Sequence, residues 1–593
     1  MAARGHTDGP ALGEFLSELR SRWEPLSRED LVAVLGSHAE RLPVRDRQAF
    51  LDVFPGRAAP LGGAVRTSGV QVLARIDAFA ARVAAGEYAD DEGYYHDRYG
   101  WVDEEAATWA PEAAELFAAV GELFVAGDLV AARAAYERLL VPFGLGGDDD
   151  WTLELWELES SDVSETLARY LRCVYETTAV AGRVEAVHRI YLELPSVRPL
   201  TLAQLSSTRL DPLPDLDAFL PGWIDALLAN TNHPRSPDRV RLLAEAAMLH
   251  AGVDGLADLL RRAGPHQGGI GLARIDALTA AGRLVDARAV AQEALDLSGA
   301  SDQHRAEAAD RLAVLAGQFG DVTGAVAARR RAWTSQPTRP RLLAMAATSI
   351  EAGVLLKTLA AEADVVSSAG GVAVDRLGCE LLLLAGRLDQ AVGELTTSSP
   401  LGWHSADHPG PVVLPVLWAA ATGAAPALDA GHLGQLFAAI DIEPRALPSV
   451  DDWLPASVDG SPARSGPPAP ASPQLTDLLA DAIARLVGDS VARDTDTRDA
   501  GTRDAGTRDT WLTIAGTVAD ARINAIVSGK HRGAYARAAS LAYAHAEALA
   551  GVGREAEARG YLEGVRARFP RHIAFRGEFD AAASASTLRP RRR

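Results

Sequence analysis

The chain has 593 residues, with 59 Lys and Arg against 79 Asp and Glu, a formal net charge of −20 at pH 7. That balance argues against a nucleic-acid binder, whose phosphate contacts need a basic face. Apolar residues make up 48% and aromatic residues 6%, a globular composition whose many small side chains suit close helix-on-helix packing.

Other function classes are set aside as simply. No run of about eighteen apolar residues occurs, so no transmembrane helix is expected. The N-terminal MAARGHTDGPALGEF lacks a signal-peptide core. Cys173 and Cys379 lie far apart in apolar helical patterns, so they read as buried free thiols and build neither a disulfide framework nor a zinc site. The expectation is a cytoplasmic chain.

In chain order, the first predicted helix starts at Ser27, an N-cap with Asp30 at the third helical position and Leu26 placed to staple onto Leu31. Its apolar stripe is Leu31, Val34, Leu35, His38 and Leu42. A second helix is predicted over Val70–Ala84. The stretch 88–109 is acidic and rich in Tyr and Trp. From Pro111 to about Val450 the pattern is helix after helix, broken at Gly144–Asp150, Pro195–Pro199, Pro212–Pro214, Pro234–Pro237, Gly264–Gly269 and Pro409–Pro411. The run VVLPVLW (412–418) reads as the start of a buried helix. Residues 455–473 are Pro/Ser/Ala-rich and read as an extended linker. A helix is expected over 474–488. The tandem T-R-D-A-G pentapeptides of 493–510 hold no apolar side chain larger than Ala, and disorder is expected there. A helical unit from Trp511 to about Phe575 and a basic tail with Arg589 and Arg591–Arg593 complete the chain.

One phrase returns six times: a Gly, a hydrophobic residue two later and a small residue five later. It opens at Gly127, Gly182, Gly282, Gly320, Gly386 and Gly553. The glycine suits the left-handed C′ position that ends a helix. The residue at plus two (Leu129, Val184, Leu284, Val322, Leu388, and as exception Glu555) should plug the gap between two helices. The residue at plus five (Ala132, Ala287, Ala325, Ala391, Ala558, and as exception Val187) lets the second helix press on the first. Each hairpin is apolar on more than one side and needs neighbours to bury it.

The phrase resembles the tetratricopeptide repeat in its inter-helix Gly, its second-helix Ala and its closing Pro. Gly320 to Pro337 and Gly553 to Pro570 span the family's seventeen residues. Tyr136 and Tyr191 stand at the family's aromatic position, and Ala294 and Ala332 at its later small position. The first-helix Trp, Leu-Gly and Tyr signature is mostly missing, with Leu312 and Ala313 the best remnant, and the phrases are spaced by 55, 100, 38, 66 and 167 residues. The resemblance covers about a third of the chain. It implies a stack of helical hairpins that binds a protein partner, with basic residues such as Arg329 and Arg330 available to hold a carboxylate.

Motifs with catalytic potential are weak. Asp90, Asp91, Glu92 and Asp97 resemble the aspartate-rich motif of terpene synthases, and Asn524 and Ser528 have the spacing of that family's second motif, but Arg532 occupies the position that needs a Glu. Asp148, Asp149 and Asp150 lack the ligand alternation of an EF-hand. His404 and His408 are bracketed by Gly402 and Pro409 and have no Glu between them. Gly268, Gly269 and Gly271 follow no strand and read as a flexible interhelical turn.

The sequence therefore reads as all-α: an α-solenoid of stacked hairpins with an N-terminal helical region and a linker-separated C-terminal helical unit. The divisions are 1–110, the array at 111–450, a linker with one short helix at 451–510, a hairpin unit at 511–580 and a tail at 581–593. The expected function is a non-catalytic scaffold docking a peptide or helix of a protein partner, with no cofactor and no metal. A regulatory or adaptor subunit of a signalling or defence system is the alternative, and a helical enzyme with an acidic site at 90–97 the less favoured one.

Overall fold

A computed structural model describes residues 69–88, 108–145, 163–193, 200–209, 211–229, 237–297, 300–368, 374–442, 473–494 and 500–588, with scattered positions between 18 and 35 and between 153 and 158. Among these residues every regular element is a helix, as the all-α class requires. Ser27 caps as expected: the Asp30 N–H donates to its hydroxyl at 3.1 Å, and its own N–H reaches the Asp30 carboxylate at 3.3 Å. Val34 and Leu35 of the expected apolar stripe are exposed.

Contacts divide the described residues into two compact units, one reaching Arg283 and one starting at Leu284, with Leu297 and Ala300 grouped with the first. The boundary falls inside the expected 111–450 array. The first unit contains α1 (Gly69–Ala84), α2 (Ala110–Val125), α3 (Leu129–Leu139), α4 (Val163–Thr177), α5 (Val180–Glu193), α6 (Leu202–Ser207), α7 (Leu216–Ala229), α8 (Pro237–Arg262) and α9 (Gln267–Ala280). Non-helical torsions at Ala251 and Gly252 divide α8 in two. In α1, Val72, Ile76, Phe79 and Val83 repeat at helical spacing and are all buried. Packing is between elements near in sequence: α1 on α2 and α3, α3 on α4, α5 on α7, α7 on α8 and α8 on α9. Arg172, fully buried, pairs with Glu176 at 2.6 Å and donates to the Ser206 carbonyl at 2.9 Å, where the C-terminal end of α6 favours a cation.

The second unit contains α10 (Leu284–Ala294), α11 (Asp302–Gln318), α12 (Val322–Ser335), α13 (Arg339–Glu351), α14 (Leu355–Ser368), α15 (Arg376–Leu384), α16 (Leu388–Thr397), α17 (Gly410–Thr422), α18 (Gly431–Ala438), α19 (Leu475–Asp494), α20 (Ala500–Ser528), α21 (Tyr535–Gly551), α22 (Glu555–Arg568) and α23 (Ile573–Ala582). From α10 to α16 each helix packs on the next within this unit.

Six interhelix turns share one backbone solution, which the helix ends at Gly86 and Gly144 also use. At Gly127 the glycine N–H donates to the Phe124 carbonyl at 3.0 Å and the Asp128 N–H to the Leu123 carbonyl at 3.1 Å, the paired bonds of a Schellman helix end. The same pair closes the turns at Gly282, Gly320, Gly353, Gly386 and Gly553, and all six glycines have φ between +66° and +84°. Gly182 does not belong with them. Helix α4 ends at Thr177 and α5 begins at Val180, so this glycine lies inside α5 without a left-handed torsion. Gly353 is the turn that the sequence phrase misses, because Thr358 stands where an Ala is sought. It sits 33 residues from Gly320 and 33 from Gly386.

The plus-five residue behaves as the phrase requires. Ala132, Val187, Ala287, Ala325, Thr358, Ala391 and Ala558 are all at most 5% exposed. The plus-two residue does not: Leu388 is buried, Leu129, Leu284 and Leu355 are half-buried, and Val322 is exposed. These side chains sit in the first turn of the second helix.

After α16 the arrangement changes. Helix α17, the expected buried helix of 412–418, is buried around its whole circumference except at Pro411 and Thr422. It packs on α15, α16, α18, α19, α20 and α21. A helix apolar on all sides needs neighbours on all sides, so this part of the unit is a bundle around α17 and not a simple stack. The helices after residue 473 are consequently not a linker-separated unit. Leu475, Leu479, Ile483, Leu512, Ile523 and Ala538 share the core of Leu414, Leu417 and Trp418. Specific bonds tie them in. The Trp418 indole N–H donates to Nδ1 of His545 at 3.1 Å, and the Glu547 carboxylate accepts the Leu433 N–H at 2.8 Å and the Thr587 N–H at 3.0 Å. Gly516 makes room for this, since a Cβ there would sit 2.8 Å from the His545 ring.

The expected disorder of the pentapeptides is corrected for 500–510, which form the start of α20; residues 495–499 and the Pro-rich 455–472 lie outside the described residues. Leu512, Ala515, Ala519, Ile523 and Ile526 bury one stripe of α20. Once that stripe nucleates the helix, each further residue adds a hydrogen bond at low cost, which carries the helix into a segment where poor helix formers, Gly, Thr and Asp, outnumber Ala and Arg. An Arg554–Asp509 pair at 3.2 Å holds the extension to the turn before α22.

Candidate functional site

The two arginines offered for a partner are engaged inside the second unit. On α12, Arg329 pairs with Asp310 of α11 at 2.7 Å, and Arg341 of α13 meets the same carboxylate at 2.8 Å. Arg330 reaches the buried Glu362 of α14 at 2.6 Å. Successive side chains diverge by about 100° around a helix, so of the consecutive Arg329, Arg330 and Arg331 the first faces α11 of its own hairpin and the second faces α14 of the next. Arg331 is left on a shallow groove lined by Leu295, Asp302, Arg305 and Thr334. Arg329 therefore ties together the two helices of the Gly320 hairpin, and Arg330 fastens that hairpin to the next.

What the turns do expose is apolar. In the first unit, Val125 and Val130 flank Gly127 and are 74% and 71% exposed. In the second, Val285 follows Gly282 by three residues and is 72% exposed; Ile350 and Leu356 flank Gly353, and Phe319 and Val322 flank Gly320, all four exposed. Val130, Val285 and Leu356 stand at the same place, three residues after the turn glycine. Single exposed aliphatics are ordinary on a protein surface. The position recurs at three of the six turns and holds Thr323, Asp389 and Ala556 at the others; it is not part of the hairpin phrase, which contains only the residues that build the turn.

The candidate chemical groups do not assemble. Both thiols are buried, and burial pushes Cys173 and Cys379 up to about 12, leaving no thiolate at neutral pH. His408 spends both ring nitrogens inside its loop, one on the Ser399 carbonyl at 2.7 Å and one on the Gly410 N–H at 2.9 Å. His404 is exposed in a turn, not on a helix. Gly268, Gly269 and Gly271 form part of α9 and are buried, which corrects their reading as a flexible turn. Asn524 and Ser528 lie on α20, while Asp90, Asp91, Glu92, Asp97 and Asp148–Asp150 fall outside the described residues. Among the described residues no three His, Cys, Asp or Glu side chains are placed to share a metal ion, and no helix is long and apolar enough to cross a membrane. No protein-family model matches the sequence, and no curated protein matches it.

Proposed function

We propose that this chain is a non-catalytic helical scaffold, related in design to tetratricopeptide arrays, that docks a peptide or helix of a protein partner in the cytoplasm. The observation that carries the reading is the exposed aliphatic residue three places past a left-handed turn, at Val285 and Leu356 in the second unit and, separately, at Val130 in the first. Exposed apolar side chains at equivalent hairpin positions within the second unit fit the apolar anchors of an amphipathic partner segment. The 33-residue steps around Gly353 support the repeat reading, and the acidic net charge disfavours nucleic acid as the ligand. The role of regulatory or adaptor subunit is the same surface placed in a larger assembly.

Affinity purification of the full chain from its own cells, with subunit ratios measured by native mass spectrometry, tests this. The expected result is a partner in fixed stoichiometry that is lost from a Val130→Asp, Val285→Asp, Leu356→Asp variant with unchanged circular dichroism. A partner retained by that variant, or none in fixed ratio, overturns the reading.

A further inference from the structure

Four arginines in the described residues are less than 10% exposed: Arg172, Arg183, Arg376 and Arg522. Arg172 pairs with Glu176, Arg183 with Asp215 at 3.5 Å and Arg376 with Glu380 at 3.3 Å. Arg522 has no carboxylate among the described residues. It spends one N–H on the Pro400 carbonyl at 2.9 Å, and its guanidinium lies 4.0 Å from the centroid of the Trp403 ring. The other charge that acts on it is repulsive: Arg537, exposed in the first turn of α21. Burial first, and Arg537 second, push the Arg522 guanidinium down to about 10, so it remains a cation at neutral pH.

The loop between α16 and α17 holds this arrangement firmly. The Trp403 indole packs so tightly against Gly410 that a Cβ there would sit 2.4 Å from it. The indole Nε1–H is buried and has no acceptor. His408 lies beside the ring at 5.5 Å, with both nitrogens already committed to the loop backbone. A buried cation without a counter-charge is destabilising relative to a paired one, and among the described residues no carboxylate fills that place for Arg522.

We propose that the corner formed by Arg522, Arg537 and Trp403 is a binding site for an oxyanion, a carboxylate or phosphate group. The flat guanidinium presents N–H donors in the fork that matches two oxygens of such a group. Stacking on Trp403 fixes the plane of that fork before the ligand arrives, and Arg537 supplies a second positive charge at the rim. A bound oxyanion gives Arg522 the counter-charge that the other three buried arginines find among the described residues. This site is independent of the turn residues invoked for the scaffold.

Isothermal titration of the full chain with sodium phosphate, sodium succinate and a hexaglutamate peptide, each at constant ionic strength in chloride, tests the proposal. The expected result is saturable one-to-one binding of at least one probe. Arg522→Gln should weaken it about tenfold or more, the scale of a lost charge-assisted hydrogen bond. Arg537→Gln, an exposed change that leaves the fold alone, should weaken it about threefold. Strongest binding by phosphate or succinate identifies a free ion as the ligand; strongest binding by the peptide identifies an acidic protein segment. No saturable heat with any probe, or binding unchanged in both variants, overturns the proposal. Should Arg522→Gln fail to fold, the Arg537→Gln titration alone decides.

Discussion

Gly353 holds φ at +66°, a region that costs an L-residue about 1–2 kcal/mol. Gly353→Ala should therefore destabilise the second unit by about 1 kcal/mol although no atom lies within 4 Å of the new Cβ. Gly182→Ala should do the reverse. Its backbone is helical, the new Cβ meets only Thr178 Cγ2 at 3.7 Å, and Ala gains about 0.5–1 kcal/mol over Gly within a helix. Opposite shifts of the two thermal transitions check both. His545 offers a second test. Burial drives its pKa from 6.5 down to about 4, outweighing the raising effect of Asp520 and Glu557. Folded His545 is neutral where the unfolded residue has taken a proton, so stability falls as pH drops from about 6.5 towards 4 and rises again on the way back. The contribution is roughly 2–3 kcal/mol across that window. His545→Gln, which keeps an acceptor for the Trp418 indole, should flatten the difference; an unchanged pH dependence of unfolding in this variant counts against the assignment.

At the scale of elements, the hairpins were legible because their information is local. A Gly at a helix end and a small residue five later fix a turn and a close approach within a few residues, and Ala132, Ala287 and Ala391 are buried as that logic demands. The same local logic failed where chemistry allowed substitutes. Thr358 fills the small position after Gly353 and hid a turn; Gly182 satisfied the pattern from inside a helix. The pentapeptides failed differently. Composition described their lack of a core, while their helix is inherited from the buried stripe that begins at Leu512. Gly506 supplies the test, since a Cβ there has nothing within 4 Å. Because 500–510 is helical, Gly506→Ala should stabilise the second unit by about 0.5–1 kcal/mol and slow amide exchange in this stretch. Unchanged exchange would mean that the helix starts nearer Leu512. Of the oxyanion corner nothing was legible, because Trp403, Arg522 and Arg537 meet only through the tertiary fold.

At the scale of the whole molecule, the decisive interactions join residues more than a hundred positions apart, such as Trp418 with His545 and Leu433 with Glu547. Such pairings leave no periodic trace, which is why the helices beyond the Pro-rich stretch read as a separate unit. Their removal gives the sharpest test. A chain ending at residue 442 strips α17 of α19, α20 and α21, leaving Trp418 and its neighbours against water. Each large apolar side chain so exposed forfeits about 1.5–3 kcal/mol, and a handful exceeds the 5–15 kcal/mol that holds an ordinary domain together. Residues 1–442 alone should bind a hydrophobic dye and show no sharp melting of the second unit, whereas the first unit, whose helices pack on sequence neighbours before Arg283, should keep its transition. Co-expression of 473–593 as a separate chain should restore the second transition, because the contacts around α17 are non-covalent and do not require the intervening residues. A 1–442 fragment that melts sharply in both units would show that α17 finds its neighbours elsewhere.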